Sequence, residues 1–373
     1  MSPRVLVTGG AGFVGSHLVD RLLERGASVR ILDNLDPQVH PDGRPPRWLS
    51  PAAELRIGDV RDADTLASAL DGVDVVYHLA AAVGVGQSMY RIADYTTTNT
   101  AATATLLQTL VDRRVELERL VVASSMSIYG EGLYRRPEGT RVERVRRSSE
   151  RLASRAWDPV DADGTRLEPL PTPEDKRLDP TSVYALTKAD QERLALIIGE
   201  AYGIPTVALR FFNIYGPRQA LSNPYTGVMA IFSSRLLNGK APLIFEDGLQ
   251  RRDFVSVHDV VRALLLAAER DEAVGGAINV GSGHALTVLD VAEALARVLG
   301  LDIAPEITGR YRVGDIRHCT ADIALARELL RYEPRVTLDR GLTELVAWLS
   351  SQERPRDGVE EHAAELAGHG LTV

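Results

Sequence analysis

The chain of 373 residues has one cysteine, Cys319. An internal disulfide framework is thereby excluded, and a reducing compartment is the natural setting. It has no surplus of basic residues either. Lys and Arg number 43 against 51 Asp and Glu, a formal charge of -8, and a nucleic-acid partner needs a net basic face to meet phosphate. Small molecules are the expected partners. No apolar run is long enough to span a bilayer, and the opening "MSPRVLVTGG" lacks an apolar core with a cleavage site, so no membrane partner is expected and the reading is cytoplasmic. Repeats and low-complexity blocks are absent too.

What is present is an alternation of short β-rich runs with helical stretches. "RVLVTG", "SVRILDN", "LRIGDV", "VDVVYHLA", "RLVVASS" and "IPTVALRFFN" read as strands separated by helical patterns, including Tyr95 to Val111 and Tyr184 to Tyr202. That rhythm predicts an α/β fold, a Rossmann-type doubly wound parallel sheet. Beyond Gly216 the strands shorten ("APLIFED", "RDFVSV", "AINVGSG"), which predicts a smaller, mixed α/β lobe, the substrate-binding lobe by the resemblance given below. The expected division is 1–215 for the dinucleotide lobe, 216–350 for the smaller lobe, and 351–373 for a polar tail, either frayed or a loosely docked helix.

Two motifs carry chemistry. In "VLVTGGAGFVGSHL", Gly9, Gly12 and Gly15 follow a strand and open a helix at Phe13 and Val14. A tight turn, close approach of a pyrophosphate, and helix–sheet packing each call for a residue without a side chain. The helix N-terminus then faces the phosphates. The second strand ends in Asp33 and Asn34, with no arginine at 34 to 36. A carboxylate there accepts ribose hydroxyls and repels a 2′-phosphate, so NAD is expected over NADP. In "SVYALTKAD", Tyr184 and Lys188 stand four apart on one helix face. A free tyrosine, with a pKa of about 10, is a poor base at neutral pH. A neighbouring cation and a positive nicotinamide favour the phenolate. Ser124 and Ser125 end a strand of the same sheet, where doubly wound folds bind ligands.

These segments, with "GDV", "HLAA", "SSMSIYG", "RFFNIYGPR", "RDFVSVHDV", "NVGSG" and "YRVGDIRH", resemble the extended short-chain dehydrogenase/reductases and, within them, the NAD-dependent nucleotide-sugar 4-epimerases. The resemblance implies Ser125, Tyr184 and Lys188 as catalytic residues. It implies that Asp59 and Val60 contact adenine, that Leu79, Ala80 and Ala81 line the cofactor groove, and that Asn99 lies near the nicotinamide ribose. It implies Ser127 beside the sugar, Asn213, Arg252 and Arg312 on the diphosphate and nucleoside, and Asp315 at the substrate ribose. A nucleoside-diphosphate sugar, most like a dTDP-hexose, is the implied substrate, and a homodimer pairing the two long helices the implied assembly. Dehydratases of the family place an Asp-Glu pair where this chain has Met126 and Ser127, so elimination is disfavoured. Decarboxylation of a uronic acid and a non-catalytic nucleotide sensor remain alternatives. His258 reads as a packing or capping residue, and Cys319 beside His318 supplies too few ligands for a metal site. The stretch 131–178 is long for a family loop, and its position between Ser125 and Tyr184 suggests a lid over the sugar or a subunit contact.

Overall fold

The computed structural model describes residues 3–221, 223, 225, 227–312, 314–352 and 357–372. Its first sheet has seven parallel strands in the order Ala277–Val280, Thr206–Phe211, Arg119–Ser125, Val75–His78, Arg4–Thr8, Ser28–Asp33, Glu54–Ile57. The chain winds outward one way through the first three strands and the other way through the rest. Its reversal lies between Arg4–Thr8 and Val75–His78, at the glycine turn. Strand residues alternate between faces, so Val5 and Val7 join one apolar cluster while Leu6 joins the other. Burial on both faces is why the central strands read as unbroken apolar runs.

The two long helices differ in regularity. Val183–Tyr202 is α-helical throughout; Ser182 caps it by accepting from Ala185 N, and Gly203 ends it in the left-handed region at φ 67°. The other runs from Ile92 to Asp112 but is π-helical over Thr96–Ala101. Thr96 and Thr97 hydroxyls there donate back to the carbonyls of Ile92 and Ala93. A π turn of this kind is commonly found at functional sites, and this one carries Asn99.

Two expectations about domains meet a different arrangement. Ala277–Val280, read as part of the smaller lobe, stands at the edge of the large parallel sheet, beside Thr206–Phe211. Its residues are buried except the first, and that position explains the apolar run "AINV". The stretch 131–178 is no simple lid. Leu133–Arg135, Arg141–Val142 and Glu168–Thr172 supply three of the seven strands of the second, mixed sheet, ordered Asn213–Tyr215, Arg251–Ser256, His318–Ala321, Glu168–Thr172, Leu133–Arg135, Arg141–Val142, with Ala285–Thr287 pairing antiparallel to Arg251–Ser256 off that path. The tail holds a helix, Val359–Gly368, the second of the two forms expected for it. No described helix is long and apolar enough to cross a membrane.

Candidate active site

The turn after the first strand is tight against backbone at Gly9 and Gly15. Gly9 has φ 71°, and a Cβ on it would stand 2.9 Å from the backbone of Ala80; one on Gly15 would stand 2.2 Å from Gly9 O. Gly12, by contrast, faces open space apart from Gly9 O, and no side chain caps the helix Phe13–Glu24 that it opens. Free N–H groups of Phe13, Val14 and their neighbours at an uncapped helix start, over an open glycine, form the cradle a pyrophosphate needs. Asp33 is buried, one carboxylate oxygen accepting from Ala11 N at 2.9 Å and the other from Leu35 N at 2.9 Å. Leu35 takes a positive φ of 51° to make that contact.

Beyond Asp33, the Asn34 amide donates to Asp59 at 3.2 Å, and Arg61 grips Asp59 at 2.6 and 2.8 Å. That guanidinium holds the Asp59 carboxyl down at about 2. Val60 is buried behind it. Leu79 N and Ala80 N donate to Thr8, which ties the strand end Leu79–Ala81 to the glycine turn. Asn99 is fully buried: Oδ1 accepts from Ala82 N, while Nδ2 donates to Ala82 O and to Thr187 Oγ1. Both of its donors are therefore taken up in fastening the 80–82 loop to the helix of Tyr184. Every feature of this groove fits NAD.

At the inner end lie Tyr184, Ser125 and Lys188, all buried. Burial raises the Tyr184 pKa, and a hydrogen bond with the Ser125 hydroxyl opposes it. Ser125 ends its strand and caps the short turn Met126–Tyr129, where Ser127 donates to it from N at 3.2 Å and from Oγ at 2.9 Å. Ser124 points away, donating to Glu192 at 2.6 Å in a buried network with Arg210 and Tyr129. The strand's alternation thus separates the two serines by role. Burial also brings the Lys188 ammonium down to about 7, with Glu192 acting the other way. Lys188 donates to Gln191 at 2.6 Å. The sequence casts Lys188 as a fixed cation beside the phenol; here its own charge is in balance near neutrality.

The second sheet supplies the residues expected for the substrate. Asn213 Oδ1 and Arg312 Nε are both buried without a hydrogen-bond partner. The Arg312 guanidinium lies over the Phe245 ring at 4.8 Å and reaches Asp315 at 3.3 Å. Arg252 is more fully engaged, donating to the carbonyls of Arg251, Ile316 and Arg317 and reaching Asp315 at 3.5 Å. Burial works to raise the Asp315 pKa, but Arg312, Arg252 and Arg147 together hold it below the usual range.

Arg147 was not singled out by sequence. It lies in the stretch 131–178, buried, contacting Glu131 at 3.2 Å, Glu246 at 2.6 Å and the Asp315 carbonyl at 2.6 Å. Arg317 joins the same cluster through Glu246, Asp247 and Asp158. "RRSS" gives no period or motif by which one arginine could be told from its neighbour; only buried partners from distant stretches of the chain distinguish it. His258 pairs with Glu344 at 2.7 Å on the first turn of its helix, away from Tyr184 in the bonding network. Among the described residues no group of three or more His, Cys, Asp or Glu is arranged to hold a metal, and Cys319 is buried with its thiol pushed up to about 12.

Comparison with known proteins agrees with this geometry. The chain is 35% identical over 358 residues to a dTDP-L-rhamnose 4-epimerase of Burkholderia thailandensis, covering 94% of this chain and 95% of that one. It is 29% identical over 367 residues to a UDP-N-acetyl-alpha-D-glucosaminuronate decarboxylase of Bacillus cytotoxicus, covering 95% and 99%. The crystal structure of a UDP-glucuronic acid 4-epimerase from Bacillus cereus, in complex with UDP-glucuronic acid and NAD, superposes with a TM-score of 0.76 at 28% identity, covering 93% of this chain and 99% of that one. The sequence model of the NAD dependent epimerase/dehydratase family matches residues 5–150 and 161–281. With the glycine cradle, Asp33 and the Ser125–Tyr184–Lys188 cluster in place, the chain belongs to the NAD dependent epimerase/dehydratase family, and NAD is its cofactor.

Proposed function

We propose that the protein inverts carbon 4 of a nucleoside-diphosphate sugar, a dTDP-hexose, through a 4-keto intermediate. The observation that carries this reading is the buried meeting of Tyr184 and Ser125 at the inner end of the dinucleotide groove, with no carboxylate at 126 or 127. When bound, NAD supplies the acceptor for the hydride of carbon 4 and returns it. Tyr184, as phenolate, takes the proton of the 4-hydroxyl and later gives it back. Ser125 hydrogen-bonds the same oxygen, and its acceptor role toward Ser127 leaves its own proton free to point at Tyr184 or the sugar. Lys188, once a phosphate-bearing, hydroxyl-rich cofactor replaces its apolar surroundings, regains charge and lowers the phenol's pKa.

The 4-keto sugar must turn about its diphosphate linkage, so the nucleotide has to be held while the hexose is loose. Arg312 and Asn213, each with an unmatched buried polar atom, suit that holding role. Arg252 supports them by fixing the Asp315 loop, and Asp315 faces the ribose. Adenine lies by Asp59 and Val60, and Asn99 orders the ribose end through Ala82. Exposed apolar side chains on the two long helices, Ile92, Leu186, Ile197 and Tyr202, support a homodimer formed through them. The single buried thiol suits a cytoplasmic setting.

The test is separate incubation with dTDP-L-rhamnose, dTDP-glucose, UDP-glucose and UDP-glucuronate, followed by NMR. Inversion at carbon 4 with mass unchanged supports the proposal. Release of carbon dioxide moves the chain to the decarboxylases, and release of water to the dehydratases. Binding of NAD and a nucleotide sugar without any reaction makes it a sensor.

A further inference from the structure

The segment 357–372 makes contacts in both lobes. At its start Asp357 pairs with Lys240 at 3.0 Å and with Arg235 at 3.4 Å, both in the smaller lobe. Along the helix Val359–Gly368, Glu365 accepts from the Tyr225 hydroxyl at 2.8 Å. His369 then lies flat on Tyr90 of the larger lobe, ring centroids 4.5 Å apart at 8°. Thr372 finally pairs with Arg312 as an antiparallel bridge.

These contacts reach the chemistry at both ends. Tyr225 packs beside Gly84, where a Cβ would stand 3.3 Å from the Tyr225 Cβ and 2.7 Å from the Tyr95 hydroxyl. The Tyr95 ring stands edge-on to that of Tyr184 at 6.3 Å. At the other end is Arg312, the cation assigned above to the diphosphate. Residues directly opposed in an antiparallel pair put their side chains on the same face. Arg312 Nε and Thr372 Oγ1 are nevertheless both buried with no partner. The strap closes over Arg312 without satisfying it, and an unpaired buried donor is costly to keep. An anionic oxygen in place of Thr372 would supply the missing acceptor.

We propose that 357–372 is a displaceable strap, closed over the nucleotide-sugar cleft, and that the substrate's diphosphate exchanges for it at Arg312. This rests on the reading of Arg312 as the diphosphate ligand. A protein whose open form is a fraction of the whole binds with an apparent Kd raised by the inverse of that fraction. Loosening the strap therefore tightens nucleotide binding.

The experiment uses the full NAD-loaded chain and two probes, dTDP and UDP. Hydrogen exchange over 357–372 is expected to quicken when either nucleotide saturates the protein. Glu365→Ala and His369→Ala, which release the strap at contacts other than Arg312, are expected to lower the calorimetric Kd about threefold or more. Slower or unchanged exchange, or a Kd that rises or stays level in both variants, overturns the strap while leaving the nucleotide site standing. Failure of the unaltered chain to bind either nucleotide overturns the site and the strap together.

Discussion

Replacing Tyr184 by phenylalanine removes one oxygen from a helix held by other contacts. Its backbone N–H still donates to Ser88, and Asn99 still holds Thr187 one turn along. Turnover is expected to drop by about 10²-fold or more, the usual loss for a general acid–base group, while bound NAD and melting temperature stay near the wild-type values. Near-full turnover would remove Tyr184 from the mechanism. Lys188 makes a second prediction, about pH. Burial lowers its pKa from 10.5 to about 7 in the cofactor-free fold, so between those values the unfolded chain holds a proton that the folded chain lacks. Stability from this group therefore rises with pH across that window, and the cost is fully present below about 7. In Lys188→Met the slope of denaturation free energy against pH, measured without NAD from about 7 to about 10, should be shallower. An unchanged slope would show that the ammonium is not buried as described. Glycines, Asp33 and the tyrosine–lysine pair were legible in sequence because each satisfies a local rule of turn, strand end or helix face. Arg147 was not, because what marks it is burial against Glu131 and Glu246, and burial of a charge is set by distant chain.

At the scale of elements, the stretch 131–178 shows how loop-like composition conceals a sheet. Its three strands are short, two to five residues each, and "EPLPT" carries two prolines, which sit at 169 and 171. Prolines cannot donate to a ladder and usually mark edges, yet this strand lies between two others, pairing in parallel with His318–Ala321 and antiparallel with Leu133–Arg135. Such pairing is invisible to periodicity over so few residues. The charged cluster beneath it is where the element is most vulnerable. Arg147→Met would leave Glu131 and Glu246 facing each other with one cation fewer, and removing one partner of a buried ion pair costs about 3–5 kcal/mol. Urea denaturation should show a loss of that order at neutral pH, with Arg147→Lys losing less. A change under about 0.5 kcal/mol, typical of an exposed position, would mean that the cluster reorganises around the gap. The helix Ile92–Asp112 was legible as a helix, but its π-helical turn was not. The widened turn is set by Asn99 reaching both the 80–82 loop and the helix of Tyr184, contacts that no local pattern encodes.

For the whole molecule, the first question is assembly. Leu186 is 52% exposed and Tyr202 60%, on the helix that also carries Tyr184. Leu186→Glu should convert a dimer to a monomer in light scattering at dilute concentration, because a charge at the centre of an apolar interface is left without a partner. A chain that scatters as a monomer before mutation would remove the assembly. The doubly wound order was legible from the alternation of strands and helices, whereas the return of Ala277–Val280 to the large sheet was not, since a four-residue apolar run carries no address. That return has a consequence for how such a protein could acquire a new substrate. The second sheet is assembled from five stretches of chain, 133–172, 213–215, 251–256, 285–287 and 318–321, with a strand of the other sheet intervening at 206–211 and again at 277–280. No single crossover in the gene can therefore exchange the second sheet of one relative for that of another and leave the large sheet whole. A recombinant joined at any one point between 173 and 317 pairs strands of one parent's sheet with strands of the other's, and this sheet is altered by point substitution more readily than by shuffling.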